Sequence, residues 1–317
     1  MARIFITGAS GCVGQYIVEA LIQQTDHELF LLVRNPAKLT VDVEQRPGVQ
    51  VITGDLLHIG GHEALLKTMD VAILTAAAWG DPQQTQLVNV TKTLALLKRL
   101  DPSRCRQVIY FSTASILDQQ NRLLAEAGTL GTDYIRTKYQ CHRELSQLAI
   151  AAKTTVVFPT LVFGGDAQKP MSHLSAGLQD VTRWVGLIRF FSVDGSFHYI
   201  HARDIAQVIV HLVAHPLPAD AMKQMVLGNP QITVNGAIQE LCRYFGKAIP
   251  VVRVPLLAVA RAVVPLFRIQ MAEWDWFCLQ YRHFTYKNPV NPATFDQPVY
   301  CETVPDLMRI HGIERQP

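Results

Sequence analysis

Residues 3–14 read RIFITGASGCVG, with Gly8, Gly11 and Gly14 recurring every third residue between an apolar run and a helical pattern. Residues 3–6 predict a strand, and Val13, Ile17, Leu21 and Ile22 share one face of a helix over 13–23. A turn this short needs glycine wherever φ is positive or wherever another backbone or a ligand comes close. It also aims the unpaired N–H groups of the helix N-terminus at one point, an arrangement suited to a pyrophosphate. The spacing is GxxGxxG, a departure from the general dinucleotide fingerprint GxGxxG.

A chain of 317 residues buries a sizeable core; it is long for one compact unit and short for two independent ones. One integrated α/β unit with a second, smaller lobe is therefore expected. Hydrophobic residues make up 49% and charged residues only 17%. That charged fraction lies below the roughly one quarter typical of globular chains, which argues against disorder and for some exposed apolar surface. A net charge of +3, evenly spread, is too small to argue for nucleic acid. Cys12, Cys105, Cys141, Cys242, Cys278 and Cys301 form no CxxC pair, so neither a zinc site nor a disulfide framework is expected, and a reducing cytoplasm is the simplest location. The opening stretch lacks the charged and apolar regions of a signal peptide, and no apolar run reaches the roughly 18 residues of a spanning helix.

Further along, 28–33 (ELFLLV) is an almost wholly apolar run of the kind that a strand buried on both faces shows. In nucleotide-binding folds the tip of this second strand carries an acidic residue for a ribose hydroxyl, or an Arg that accommodates a 2′-phosphate. Arg34 stands there with Lys38 one helical turn on, which favours NADP over NAD. Residues 49–52 predict a third strand, closed by Gly54-Asp55-Leu56. Residues 71–78 predict a fourth that runs into Ala76, Ala77 and Ala78, small enough for a flat ligand to lie against the backbone. Residues 87–97 have helical periodicity, and Asn89 is placed to tie neighbouring strands together. Alternating strands and helices with short connections imply right-handed crossovers and a doubly wound parallel Rossmann sheet.

A fifth strand over 107–111 ends in Ser112-Thr113-Ala114-Ser115, and a helix carrying Tyr134 and Lys138 follows. The YxxxK spacing puts both side chains on one helix face. A phenol with an ordinary pKa near 10 is a poor acid–base group at neutral pH, and a nearby ammonium is expected to lower it.

This succession of TGxxGxxG, Arg34, Gly54-Asp55-Leu56, a strand ending in Ser/Thr, and YxxxK resembles the extended short-chain dehydrogenase/reductase family, also called NAD-dependent epimerase/dehydratases. The resemblance covers roughly residues 3–230. It implies Tyr134 as acid/base, Lys138 as modulator of its pKa, and Thr113 as the hydroxyl partner, with Ser112 and Ser115 as local competitors. It also implies cofactor contacts from Gly8, Ser10, Gly11, Cys12, Val13, Gly14, Arg34, Lys38, Asp55 (at the adenine), Leu56, Ala76, Ala77, Tyr134 and Lys138. Pro159 and Leu161 join them from a sixth strand and its loop over 154–164, which match the family's RPxxVYG segment with Phe158 in place of Arg. Leu161 stands where many sugar-nucleotide enzymes of the family carry Asn, which counts against a nucleotide-sugar epimerase. Ala114-Ser115 replace the Asp-Glu of the dehydratases. In the family's return to the core, 198–206 here, Asp204 is expected to cap a helix and His201 to be packed and hydrogen-bonded. Pairing through the helices that carry Asn89 and Tyr134 is expected by resemblance, giving a homodimer.

The expected division is a cofactor domain over 1–165 and a substrate lobe over 166–317, with 198–215 returning to the core. The stretch between Gly164 and Phe197 reads as irregular, with Met171, Leu174, Leu178, Trp184, Leu187, Phe190 and Phe191 near the pocket, which suggests an apolar substrate. His211 and His215 lie four apart, without a third ligand to make a metal site, and none is expected. Residues 251–269 are almost all aliphatic, with Arg253, Arg261 and Arg268 near one helical face and Pro255 and Pro265 as interruptions; Trp274, Trp276 and Phe277 follow. Segment 251–277 is read first as a cover over the chain's own core, and alternatively as a contact with a membrane interface or a hydrophobic partner. The expectation is an NADP(H)-dependent oxidoreductase acting on a carbonyl or alcohol carbon of a mainly apolar small molecule. It would be cytoplasmic, or peripheral to a membrane through 251–277. The alternatives are a nucleotide-sugar epimerase or reductase and a non-catalytic NADP-binding scaffold.

Overall fold

The structure, a computed structural model, describes residues 1–255 and 272–314. Its first part runs β1 (Arg3–Thr7), α1 (Cys12–Gln24), β2 (Glu28–Val33), β3 (Val49–Thr53), α2 (Glu63–Leu66), β4 (Val71–Leu74), α3 (Pro82–Gln86), α4 (Thr93–Leu97), β5 (Gln107–Phe111), α5 (Ala125–Thr129), α6 (Asp133–Leu145) and β6 (Thr154–Pro159). It continues with β7 (Leu161–Phe163), α7 (His173–Ala176), α8 (Leu178–Ile188), β8 (Phe191–Ser192), β9 (Ser196–Phe197), β10 (Tyr199–His201), α9 (Ala202–Ala214), β11 (Lys223–Leu227), β12 (Ile232–Thr233), α10 (Val234–Tyr244), β13 (Val254–Pro255) and β14 (His283–Phe284).

Seven strands form one sheet in the order β11-β6-β5-β4-β1-β2-β3, every neighbouring pair parallel. The apolar runs behave as a sheet covered on both sides requires. Alternate residues go to opposite faces. Phe5, Phe30, Leu32, Leu74, Val108 and Tyr110 join Leu94, Leu97 and Leu145 on one face. Ile4, Ile6, Leu31, Ile73 and Ile109 join Ile17 and Leu21 of α1 and Ile205, Ile209 and Leu212 of α9 on the other. The chain leaves β1 toward β3 and then returns to β4 on the opposite side, so the strand order reverses between β1 and β4. Ligands of open parallel sheets sit at that switch, outside the carboxyl ends of the strands.

A third cluster, built from Leu178, Val185, Tyr199, Leu241, Tyr244, Leu307 and Ile313, forms the core of the smaller part. Here the structure corrects the sequence reading of 164–197 as irregular. Residues 173–176 and 178–188 are helical; the Ser172 hydroxyl caps the first by accepting from Ser175 N at 3.0 Å, and Leu178 and Val185 are buried two turns apart on α8. Gly177 and Gly186, weak helix formers, hid the periodicity. The run over 87–97 is helical as expected, but Leu87–Lys92 is wound as a π-helix, and Thr93 Oγ1 donates to Val88 O at 2.8 Å. The loop expected after the sixth strand instead holds a short strand, β7, which leaves the main sheet to pair with β10.

Asp204 also departs from expectation. The side chain that caps α9 belongs to His201, whose Nδ1 accepts from Arg203 N at 3.1 Å. Asp204 instead accepts from Tyr300 N at 2.7 Å and Cys301 N at 3.1 Å, fastening the C-terminal stretch to the core. Of segment 251–277, residues 256–271, with Arg261, Pro265 and Arg268, lie outside the described residues. Val254 and Pro255 pair with Phe191 and Ser192, and Trp274 is buried in the main core, its ring 5.2 Å from that of Phe277. Among the described residues no helix is long and apolar enough to cross a membrane.

Candidate functional site

The turn after β1 is closed by Gly11 N donating to Gly8 O at 2.9 Å. Gly8 has φ +73°, and a Cβ there would stand 2.5 Å from Thr75 Oγ1 and 2.7 Å from Ala76 N, so the turn lies directly against the loop leaving β4. A Cβ at Gly14 would stand 2.1 Å from Gly8 O. Helix α1 therefore starts closer to the turn than any other residue type permits. No side chain caps α1, and its first turn holds no acidic residue. Its N-terminal N–H groups and positive dipole end are thus left for an anion. Gly8, Ser10, Gly11, Cys12, Val13 and Gly14 all belong to this cradle, and a dinucleotide pyrophosphate fits it. Burial raises the Cys12 thiol to about 12, helped by the nearby Asp166 carboxylate, so that it stays neutral.

Arg34 lies just past β2 and is exposed; among the described residues its guanidinium has no hydrogen-bond or ion-pair partner. Lys38 is exposed at the end of the turn 36–38. Gln15, absent from the sequence reading, holds this corner together. Buried in α1, it donates to Lys38 O at 2.9 Å and Ser10 O at 3.3 Å, and accepts from Thr40 N at 3.0 Å and Thr40 Oγ1 at 2.6 Å. Its signal in the sequence is a polar residue on the inward face of α1, where only packing was sought. Asp55, at the end of β3, accepts from Leu57 N at 2.9 Å, and Leu56 is buried beside it.

Beyond β4, Ala76 and Ala77 precede Ala78, whose N–H and carbonyl are both taken by buried Asn89: Ala78 N donates to Asn89 Oδ1 at 2.8 Å, and Asn89 Nδ2 donates to Ala78 O at 3.1 Å. Asn89 Nδ2 also reaches Thr137 Oγ1 at 3.1 Å, so Asn89 ties this loop to α6 where the sequence suggested a tie between strands. The next residue, Trp79, stacks its indole on the Tyr134 ring with centroids 3.5 Å apart and planes at 11°. His173 lies 5.6 Å from the indole. Neither Trp79 nor His173 was singled out from the sequence; an aromatic residue directly after three alanines at a strand's carboxyl end was the available clue.

Tyr134 and Lys138 project from one face of α6, as their spacing predicts. Lys138 is buried, and its Nζ donates to Phe111 O at 2.7 Å, anchoring α6 to the end of β5 two residues before Thr113. The Thr113 hydroxyl caps the turn that follows, 3.3 Å from both Ser115 N and Ser115 Oγ; the Ser112 hydroxyl is buried with no hydrogen-bond partner among the described residues. Desolvation dominates the electrostatics here. Burial pushes the Tyr134 phenol well above its ordinary value and pulls Lys138 down to about 8. The lowering of Tyr134 expected from Lys138 is thus outweighed, with Nζ 5.9 Å from the phenol ring centroid and one of its donors on a backbone carbonyl. Such a phenol holds its proton as a donor.

Pro159 is buried at the end of β6, and Leu161 is exposed at the start of β7. Behind the glycine turn, Tyr16 OH donates to Asp166 Oδ2 at 3.2 Å, and Lys169 Nζ bridges Glu19 at 2.9 Å and Asp166 at 3.7 Å. His201 is packed nearby, its ring 5.5 Å from that of Tyr16. Its Nε2 has no hydrogen-bond partner among the described residues, and burial pulls it down to about 3. Trp184, Leu187 and Phe191, with Asp180, Ile188, Val193 and Ile238, line an almost wholly apolar groove of about 410 Å³. His211 and His215 stack at 4.4 Å with Phe295 against His211.

A switch-point sheet with a glycine cradle at its carboxyl edge defines an α/β protein of the dinucleotide-binding class. The chain belongs to the NAD dependent epimerase/dehydratase family, which it matches over residues 4–228. It is 32% identical over 108 residues to eugenol synthase 2 of Clarkia breweri, covering 32% of this chain and 35% of that protein. It is 30% identical over 164 residues to an isoflavone reductase homolog of Solanum tuberosum, covering 47% and 52%. The chain thus spans from a third to a half of the length of these curated relatives. The crystal structure of the Bordetella bronchiseptica enzyme WbmG in complex with NAD and UDP superposes with a TM-score of 0.64 at 15% identity, covering 100% of this chain and 98% of that one, a likeness of fold alone.

Proposed function

We propose that the protein is an NADP(H)-dependent oxidoreductase of the extended short-chain type, acting on a carbonyl or alcohol carbon of a mainly apolar small molecule. The observation that carries this reading is the pairing of Tyr134 and Lys138 on one face of α6, pinned to the end of β5 through Phe111 O. A nicotinamide dinucleotide, when bound, supplies the hydride chemistry. Gly8, Ser10, Gly11, Cys12, Val13 and Gly14 would hold its pyrophosphate on the N-terminus of α1. Arg34 and Lys38, two exposed cations with no acidic residue between them, suit a 2′-phosphate better than a bare ribose hydroxyl. Asp55 and Leu56 would serve the adenine, Ala76 and Ala77 the flat wall, and Pro159 and Leu161 the nicotinamide end.

Tyr134 would give its proton to the substrate oxygen in reduction and recover it in oxidation. The raised phenol keeps that proton loaded at neutral pH. Lys138 would hold ribose hydroxyls, and Thr113 would orient the substrate oxygen. In this reading 1–165 serves the cofactor and 166–317 the substrate, with 198–215 packed on the core. The reductase names among the relatives favour the reductive direction. The full-length likeness to WbmG, bound to NAD and UDP, keeps a nucleotide-sugar reaction as the second reading.

The test is NADPH and NADH oxidation by purified protein with apolar aldehydes and ketones, beside a panel of UDP-sugars. Positioned general acids contribute about 10²–10⁴ in rate. Tyr134→Phe should therefore lower kcat at least about 100-fold while NADP⁺ affinity stays near that of the wild type. Full turnover in Tyr134→Phe would overturn the assignment, and turnover of UDP-sugars alone would select the second reading.

A further inference from the structure

Trp79 is a large apolar side chain left 56% exposed at the mouth of this site. One face of its indole is used up: at 3.5 Å between centroids and 11° between planes, nothing fits between it and the Tyr134 ring. Its backbone is held from one side, because both polar groups of the preceding Ala78 are bonded to Asn89, which is itself fastened to α6 through Thr137. On the other side Gly80, with φ +94° and open space where a Cβ would be, lets the chain turn away without crowding the indole. The His173 ring lies 5.6 Å from the indole, and Met171 and Leu174, close to it in the chain, are exposed. Indole and imidazole thus stand together beside the phenol.

We propose that Trp79 is a specificity-determining residue whose free indole face seats a planar aromatic ring of the substrate, so that a carbon–oxygen group carried on a short linker reaches past the indole edge to the Tyr134 hydroxyl. The inference rests on the oxidoreductase reading and narrows its substrate class to aryl-bearing carbonyl or alcohol compounds. Aromatic rings prefer offset-stacked contact, and a stacked pair is worth more than its buried area alone. A saturated ring of the same size gains only the area. The structure thus assigns to Trp79 a discrimination between an aryl ring and its saturated counterpart.

The experiment measures binding of benzylacetone and of its cyclohexyl counterpart to the NADP⁺-loaded protein by calorimetry, with NADPH oxidation followed in parallel for both ketones. Wild type, Trp79→Leu and Trp79→Phe are compared; the site is exposed, so folding is not at stake. The expected aryl preference is about tenfold in wild type, from the upper end of stacking strengths. It should collapse to about one in Trp79→Leu and return in large part in Trp79→Phe. A preference unchanged in Trp79→Leu, or failure of both ketones to bind, overturns the proposal. A Trp79-dependent binding preference without NADPH oxidation supports the platform and removes the redox reading, so the two failures are told apart.

Discussion

Substituting Gly14 by Ala tests the cradle most directly, because the obstacle is backbone. The new methyl would sit 2.1 Å from Gly8 O, 2.8 Å from Gly8 C and 3.0 Å from Ala9 Cα. A carbon–oxygen contact relaxes only near about 3.3 Å, so α1 and the turn must separate by roughly 1.2 Å. Alanine is favoured over glycine within a helix by about 1 kcal/mol, while overpacking costs about 1–3 kcal/mol. Because the obstacle is backbone, the net loss in stability lies at or above the upper end of that difference, about 2 kcal/mol. Binding is less forgiving, since the N–H groups that meet the anion move with α1. A misplacement of about 1 Å costs on the order of 100-fold where geometry is decisive. Calorimetric titration with NADP⁺ should show a Kd raised by about 30- to 100-fold, with helix content retained by circular dichroism. Gly186→Ala is the control, because nothing lies within 4 Å of its added methyl. An NADP⁺ affinity for Gly14→Ala within about threefold of wild type would refute the reasoning that this close approach shapes the anion site.

Three further outcomes are expected. Arg34→Glu should weaken NADP⁺ by at least about tenfold and leave NAD⁺ near its starting value, because a charge-assisted contact to a phosphate is lost and a repulsion added; equal loss for both dinucleotides would detach Arg34 from the 2′-phosphate. Burial holds His201 at about 3 against an ordinary 6.5, so below pH 6.5 the unfolded chain takes up the proton first and stability falls as pH falls toward 3. From pH 7 to pH 4.5 this amounts to at most about 2.7 kcal/mol, and urea titrations at the two pH values should show a smaller decline in His201→Gln than in wild type. Asn89→Leu strands Ala78 N and Ala78 O, while Thr137 Oγ1 keeps its bond to Tyr134 O at 2.9 Å, and should cost about 2–4 kcal/mol in urea unfolding; a loss under about 0.5 kcal/mol would mean that water replaces the amide without penalty.

The main sheet could be read from the chain because its strands are buried on both faces, and only near-continuous apolar runs such as 28–33 and 71–74 survive there. The cradle was legible for a related reason: Gly8 and Gly14 answer to steric demands that no other residue meets. Tyr134 and Lys138 were found by spacing, which fixes a shared helix face. Spacing does not fix the electrostatics, which depend on where the Lys138 ammonium points and how deep the pair lies. Asp204 was misassigned because its partners, Tyr300 and Cys301, are almost a hundred residues away in the chain. Helix α8 was missed where two glycines broke a pattern that burial of Leu178 and Val185 restores. Trp79 and Gln15 escaped because their roles arise from contacts between a helix and a loop distant in the chain, and no local periodicity encodes those.

The Gln15 amide has a consequence for anyone who would re-engineer cofactor choice. Through it, helix α1, proposed to present its N-terminus to the diphosphate, and the loop that follows the Arg34 tip share one fastening, with Ser10, Lys38 and Thr40 as its three tether points. Exchanging the cationic tip for an acidic one leaves that mounting intact, so the preference should be convertible by side chains alone. Altering the length of the 34–40 loop would slacken the mounting and shift the start of α1 and the Arg34 tip together.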